Sequence, residues 1–205
     1  MSALCIATPP GITSDPLLRA FMAAGMEHLA TGGKGKIDSI ESWQRRIVQA
    51  NPDVTQPLKI GAIWQQMISD LYLTMIERPC WGWRLDGDAR LLDFWAEFDP
   101  SIRFILLTTP LDFLLSHLLD HHPDVYREKT VPEWTEAWTD YHQKVLAFHL
   151  RHPDQSVLLD LEEFLQAPGE AITRLAQRWS LDLSEVGPTD LEAMQPSPLA
   201  RVLIA

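Results

Sequence analysis

Apolar residues recur along this chain at two different spacings, and the alternation between them predicts the fold class. Ala3–Ala7 is a short apolar run that stops at Thr8-Pro9-Pro10-Gly11, which reads as a buried strand ending in a turn. Asp15-Pro16 then supplies a helix start, and Leu17, Leu18, Phe21 and Met22 follow at helical spacing. The periodicity predicts helices over Ser39–Ala50 and Leu58–Ile76. In the second, Ile60, Ile63, Trp64, Met67, Leu71 and Met75 form one apolar stripe, expected to face the core. Cys80–Trp83 reads as a short strand and Leu91–Phe98 as a helix. Arg103–Leu107 reads as a strand closed by Thr108-Thr109-Pro110, and Leu111–Leu119 as helix again. Trp134, Trp138, Tyr141, Val145 and Phe148 share one face of a long helix. Val157–Leu159 is a further strand, and Ala171, Ile172, Leu175, Ala176 and Trp179 stripe a last helix.

Strands alternating with helices predict an α/β domain, a mostly parallel central sheet flanked by helices. The 205 residues fit a single domain, 1–205, whose segment 184–205 reads as a less regular tail. A hydrophobic fraction of 46% and eight Trp supply the core. Composition changes the picture mainly by exclusion. The formal net charge of −11 argues against nucleic acid as a partner, since polyanion binding needs a basic stripe. Cys5 and Cys80 are too few for a disulfide framework and lack metal-type spacing, which predicts a reducing, cytoplasmic setting. Neither a leader peptide nor a run long enough to cross a bilayer is read, so no membrane partner is expected.

In a parallel sheet, ligands gather where strands end and helices begin. Thr8–Asp15 and Thr108–Ser116 are two such crossings, and neither holds a Lys or Arg. Thr31–Lys36, with Lys34 and Lys36 among three glycines, follows no strand and lacks the P-loop spacing, so it reads as a surface loop. Asp120-His121-His122-Pro123-Asp124 has metal-friendly residue types, but adjacent His residues on a helix point apart and the Pro marks a helix end. No metal is expected there. Glu162 and Glu163 read as caps of a helical turn. His117, one residue past Ser116, is the weak candidate for a general base; no catalytic residue is otherwise assigned.

Several segments, taken in order, carry a resemblance. These are Thr8-Pro9-Pro10 with Thr13-Ser14, Trp81-Gly82-Trp83, Leu91-Leu92-Asp93-Phe94-Trp95, and Arg103–Leu107 with Pro110 through Ser116. The long helix with Trp138 and Tyr141, Arg151-His152-Pro153-Asp154 and Val157–Pro168 complete the series. Together they resemble bacterial sulfotransferases up to about Leu183. The resemblance implies a P-loop NTPase-like fold and transfer of a sulfuryl group from 3′-phosphoadenosine 5′-phosphosulfate, as co-substrate, to a hydroxyl or amine. In that family a loop of the type Arg-Ser-Gly-Thr-Ser after the first strand holds the 5′-phosphosulfate. A second turn, with Arg before a Pro and Ser about eight residues later, holds the 3′-phosphate. No metal is required.

Against the first loop this chain reads Pro10-Gly11-Ile12-Thr13-Ser14, with Pro at the Arg position and Ile at the central Gly position. Against the second, Thr108 stands where Arg is expected, while Pro110 and Ser116 match. After the Trp-Gly-Trp, the family's Lys-Asp-Pro-Arg is Arg84-Leu85-Asp86-Gly87 here. The Gly-rich basic segment that folds over the donor finds no counterpart in Pro196–Ala205. A charge-assisted hydrogen bond contributes about 1.5–3 kcal/mol, and each 1.4 kcal/mol is about tenfold in affinity. The resemblance therefore implies a degenerate donor site with weak, altered or lost sulfuryl transfer. Its donor-contacting residues would be Thr13, Ser14, Arg84, Thr108 and Ser116. Two alternatives stand beside it: a non-catalytic binding or scaffold module with a protein partner, and an active enzyme with a small-molecule acceptor whose cations come from Lys34 and Lys36 or another subunit.

Overall fold

A computed structural model describes residues 2–12, 15–28, 39–184, 196–197 and 200–201. Its five strands are β1 (Ser2–Thr8), β2 (Glu27–His28), β3 (Cys80–Asp86), β4 (Arg103–Thr108) and β5 (Ser156–Asp160). They form one sheet in the order β2-β3-β1-β4-β5, with every pairing parallel. The described helices are α1 (Asp15–Ala23), α2 (Ile40–Ala50), α3 (Ala62–Leu73), α4 (Leu91–Phe98), α5 (Leu111–His121), α6 (Pro123–Arg127), α7 (Val131–Arg151), α8 (Leu161–Gln166) and α9 (Pro168–Trp179). The expected α/β class and parallel sheet are what the chain adopts.

Alternation along each strand divides the interior into two cores, because successive side chains leave opposite faces of a sheet. Leu4, Ile6, Ile105 and Leu107 point to a first core beneath α1, α5, α8 and α9. Cys5, Ala7, Phe104 and Leu106 point to a second core beneath α2, α3, α4 and α7. The Trp-Gly-Trp of β3 obeys the same rule. Trp81 and Trp83 enter the second core, and Gly82 faces the first, where a Cβ would stand 2.7 Å from both the Leu4 carbonyl oxygen and the Met26 sulfur. Glycine is needed there for close approach, and the two Trp for bulk.

Two expectations about the second layer need correction. The helix expected over Leu58–Ile76 runs only from Ala62 to Leu73, and Ile63, assigned to its core-facing stripe, is 78% exposed. The rest of the stripe, Ile60, Trp64, Met67, Leu71 and Met75, does pack on the second core, where Ile68 and Tyr72 join it, the Tyr72 ring edge-on against Trp81 at 4.9 Å and against Phe98 at 5.2 Å. That contact turns the helix and carries Ile63 outward. The two-residue strand β2 escapes the pattern altogether, being too short to alternate.

Long helix α7 bridges the layers. Trp134 belongs to the first core, whereas Tyr141, Val145 and Phe148 belong to the second. Its start is a capping box: Thr130 accepts from the Glu133 N–H, and Glu133 accepts from the Thr130 N–H at 2.7 Å. The first half of α7 thus crosses the carboxyl edge of the sheet.

Candidate functional site

From β1 the chain passes through α1 to β2 on one side in the strand order, whereas from β4 it passes through α5, α6 and α7 to β5 on the other side, so the chain reverses direction between β1 and β4. Such a switch point leaves a crevice at the carboxyl ends of the two strands. The two turns singled out above close β1 and β4, so the fold brings them to this one edge.

The first turn packs tightly. Ile12 N–H donates to the Pro9 carbonyl at 3.2 Å, and Gly11 takes the left-handed conformation at φ 84°. A Cβ on Gly11 would lie 2.9 Å from Leu118 of α5 and 3.3 Å from Trp134 of α7. Ile12 is 4% exposed within the first core. Thr8, fully buried, donates from its hydroxyl to Asp86 Oδ1 at 3.2 Å, and its carbonyl accepts from the Gly87 N–H at 3.1 Å. The expected contacts Thr13 and Ser14 lie outside the described residues, as do Lys34 and Lys36.

The second turn is held from above by α7. Thr109 N–H donates to His142 Nε2 at 3.2 Å, and Trp138 Nε1 donates to the Thr109 carbonyl at 2.7 Å. Accepting at Nε2 makes Nδ1 the protonated nitrogen, and it faces the Trp138 carbonyl at 2.7 Å. Burial lowers the His142 pKa, which favours this neutral form. Tyr141, whose pKa burial pushes well up, donates to the Leu107 carbonyl at 3.0 Å. Thr108 donates to the Leu159 carbonyl at 3.4 Å. The Thr109 hydroxyl is buried and has no hydrogen-bond partner among the described residues.

Ser116 lies on the same helix as this turn and is 1% exposed. His117 is equally buried, against the ring of Phe113, with His121 and His122 nearby. It sits about two turns below the carboxyl edge, roughly 10 Å along α5 from Pro110. Among the described residues no group of three potential ligands could hold a metal ion. Both cysteines are buried and free; burial drives the Cys5 pKa well up and that of Cys80 to about 11.

Charge at this edge is mostly negative and internally matched. Arg84 Nε stands 4.0 Å from Asp86 Oδ2, and the Arg84 backbone is clamped between Glu41, which accepts from its N–H, and Gln44, which donates to its carbonyl. Arg90 grips Asp88 through Nε and a terminal nitrogen, and reaches the Asn51 and Asp53 carbonyls. Asp160 caps α8 by accepting from the Glu163 N–H, while Glu162 pairs with Arg201 at 2.8 Å. Sequence reasoning found Arg84 and both turns. It missed Asp86, two residues along the same strand and hence on the same face, as the neighbour of Arg84, and His142 as the acceptor at Thr109, which lies 33 residues away along the chain.

No protein-family model and no curated protein sequence matches this chain. Solved structures do match in shape. The sulfotransferase domain of the Synechococcus PCC 7002 olefin synthase has a TM-score of 0.58 at 16% identity, covering 96% of this chain and 80% of that one. This chain has the sulfotransferase fold. A sulfotransferase from Alicyclobacillus acidocaldarius superposes with a TM-score of 0.59 at 10% identity over 100% of this chain and 90% of that one. The sulfotransferase domain from the curacin biosynthetic pathway gives 0.55 at 15% identity, covering 98% and 82%. At such identities the likeness establishes the fold of this sulfotransferase-like chain and leaves its chemistry to be argued from its own residues.

Proposed function

We propose that this is a sulfotransferase-fold protein with a degenerate site for 3′-phosphoadenosine 5′-phosphosulfate, in which sulfuryl transfer from that donor is lost or strongly weakened. The observation that carries the reading is the state of the second turn. The Thr109 N–H, which an anion at this edge would need, is donated to a neutral His142, and position 108 brings no cation. Arg84, the cation in the matching place after the Trp-Gly-Trp, lies within β3 and is set against Asp86. A doubly charged phosphate would have to displace these contacts without a compensating guanidinium or ammonium from either turn. The residues present do not fit the donor.

Calorimetry with adenosine 3′,5′-bisphosphate, the product of the donor, tests this reading. The wild-type chain is expected to show no binding at about millimolar ligand, a standard free energy weaker than about −4 kcal/mol. Pro10→Arg combined with Thr108→Arg is expected to restore measurable binding. Micromolar binding by the wild-type chain that disappears in Ser116→Ala would overturn the reading and favour an active enzyme with cations supplied from elsewhere.

A further inference from the structure

Eight large apolar side chains stand exposed among the described residues, and all but Met22 belong to segment 54–76 or to α7. Two complementary features adjoin on that face. The first is a ridge made by Leu146 and Leu150, 48% and 72% exposed and one turn apart on α7. The second is a groove of about 610 Å³ between α4 and α7, overhung by residues 54–60 and lined by Phe94, Ala147 and Phe148. Val54, 61% exposed, stands at its lip. Ala147 and Leu150 are three residues apart on one helix, so ridge and groove share a continuous surface.

The groove has walls of opposite charge. α7 contributes Lys144 and Arg151, and α4 contributes Asp93 and Glu97, with Arg90 at its N-terminal end already paired to Asp88. Arg151 reaches across to Asp93 at 2.6 Å, with both side chains about half exposed, and Lys144 turns back on Asp140 at 2.6 Å. Exposed pairs of this kind contribute little and exchange partners at little cost.

We propose that this face is a self-association surface, occupied by a second copy of the chain related by a two-fold axis, with the Leu146–Leu150 ridge of each protomer seated in the groove of the other. A two-fold contact needs a patch that carries both the projection and its recess, and this one does. It also needs charge that complements itself on rotation. A cationic α7 wall and an anionic α4 wall provide that, whereas a partner of one sign would meet repulsion from one wall. At 21 residues, α7 is about 30 Å long, enough to hold the roughly 800 Å² per protomer that a stable interface buries. The inference is independent of the state of the donor site.

Sedimentation velocity on the full chain, from about 1 μM to about 500 μM, tests it. A concentration-dependent dimer is expected. Leu150→Glu places charge on the ridge and Ala147→Trp fills the groove from the other side. Each should weaken dimerisation by about tenfold or more, the loss of one buried contact of about 1.4 kcal/mol. Both positions are exposed, so unfolding midpoints should stay close to wild type, and Met22→Glu on the opposite layer should leave the dimer intact. Because both native cysteines are buried, a nitroxide on Leu150→Cys reports from one place, and its spectrum should show immobilisation that Ala147→Trp relieves. A monomer throughout the range, or a dimer indifferent to both ridge and groove variants, would overturn the proposal.

Discussion

Trp81, Trp83 and Trp95 in the second core and the Thr108–Pro110 turn at the carboxyl edge are held by different forces. In the core, ring centroids stand 4.6 Å apart for Trp83 and Trp95 and 5.2 Å for Trp81 and Trp83, and Trp43 joins Trp95 at 5.7 Å. Area burial and ring packing hold that cluster, and Gln44 completes it by accepting from Trp95 Nε1 at 3.2 Å. At the edge the contacts are single hydrogen bonds around a hydroxyl that has no partner among the described residues. The difference teaches what the family resemblance measures. The motifs that carry it, the Trp-Gly-Trp and the apolar strands, are packing motifs. A chain can retain them for folding while the charges at the edge follow whatever ligand, if any, is still bound.

The contrast can be broken most directly in the core. Trp95→Ala, at a fully buried position, is expected to cost about 3–5 kcal/mol in urea unfolding. A loss below about 1 kcal/mol would mean that the cluster is not what holds the second layer. Gln44→Leu should cost about 2–3 kcal/mol by the same measurement. It strands the buried Trp95 N–H and removes the donor to the Arg84 carbonyl.

At the edge the effects should be smaller and dependent on pH. Burial holds the folded-state pKa of His142 below the ordinary value of about 6.5, so the unfolded chain binds the proton first on acidification. Its contribution is complete above about pH 6.5 and is lost as the pH falls through the lowered folded value. His142→Phe should flatten the stability profile in that window, and cost about 1 kcal/mol at pH 8 through the Thr109 N–H it leaves unpaired. A wild-type profile that rises on acidification there would reverse the assignment. Thr109→Val should have the smallest effect, neutral to about 1 kcal/mol stabilising, because it removes a buried hydroxyl without a partner. A clear loss of stability would show that this hydroxyl has an acceptor.

Much of the fold was legible from local pattern. The short apolar runs at Ala3–Ala7 and Arg103–Leu107 and the stripe from Trp134 to Phe148 are short-range signals, and each became the expected element. Ile63 was misplaced because a helical stripe wide enough to include several apolar positions does not say which of them meets the sheet; Tyr72 against Trp81 decided that. The candidate site was legible in position and in its missing cations. Its pairing was not. His142 lies 33 residues from Thr109, and Asp86 meets Thr8 across 78, distances over which no periodicity carries information.

The sequence by itself determined the α/β class, the two turns and the absence of Lys or Arg within them. These follow from residue identity, from short apolar runs bounded by turn residues and from the helical period of about 3.6 positions. Only the tertiary structure decided that the β4 turn gives its N–H to a neutral imidazole and that exposed leucines border a groove lined by charges of both signs. Each is a matter of which helix crosses which strand end, settled by the packing of whole layers.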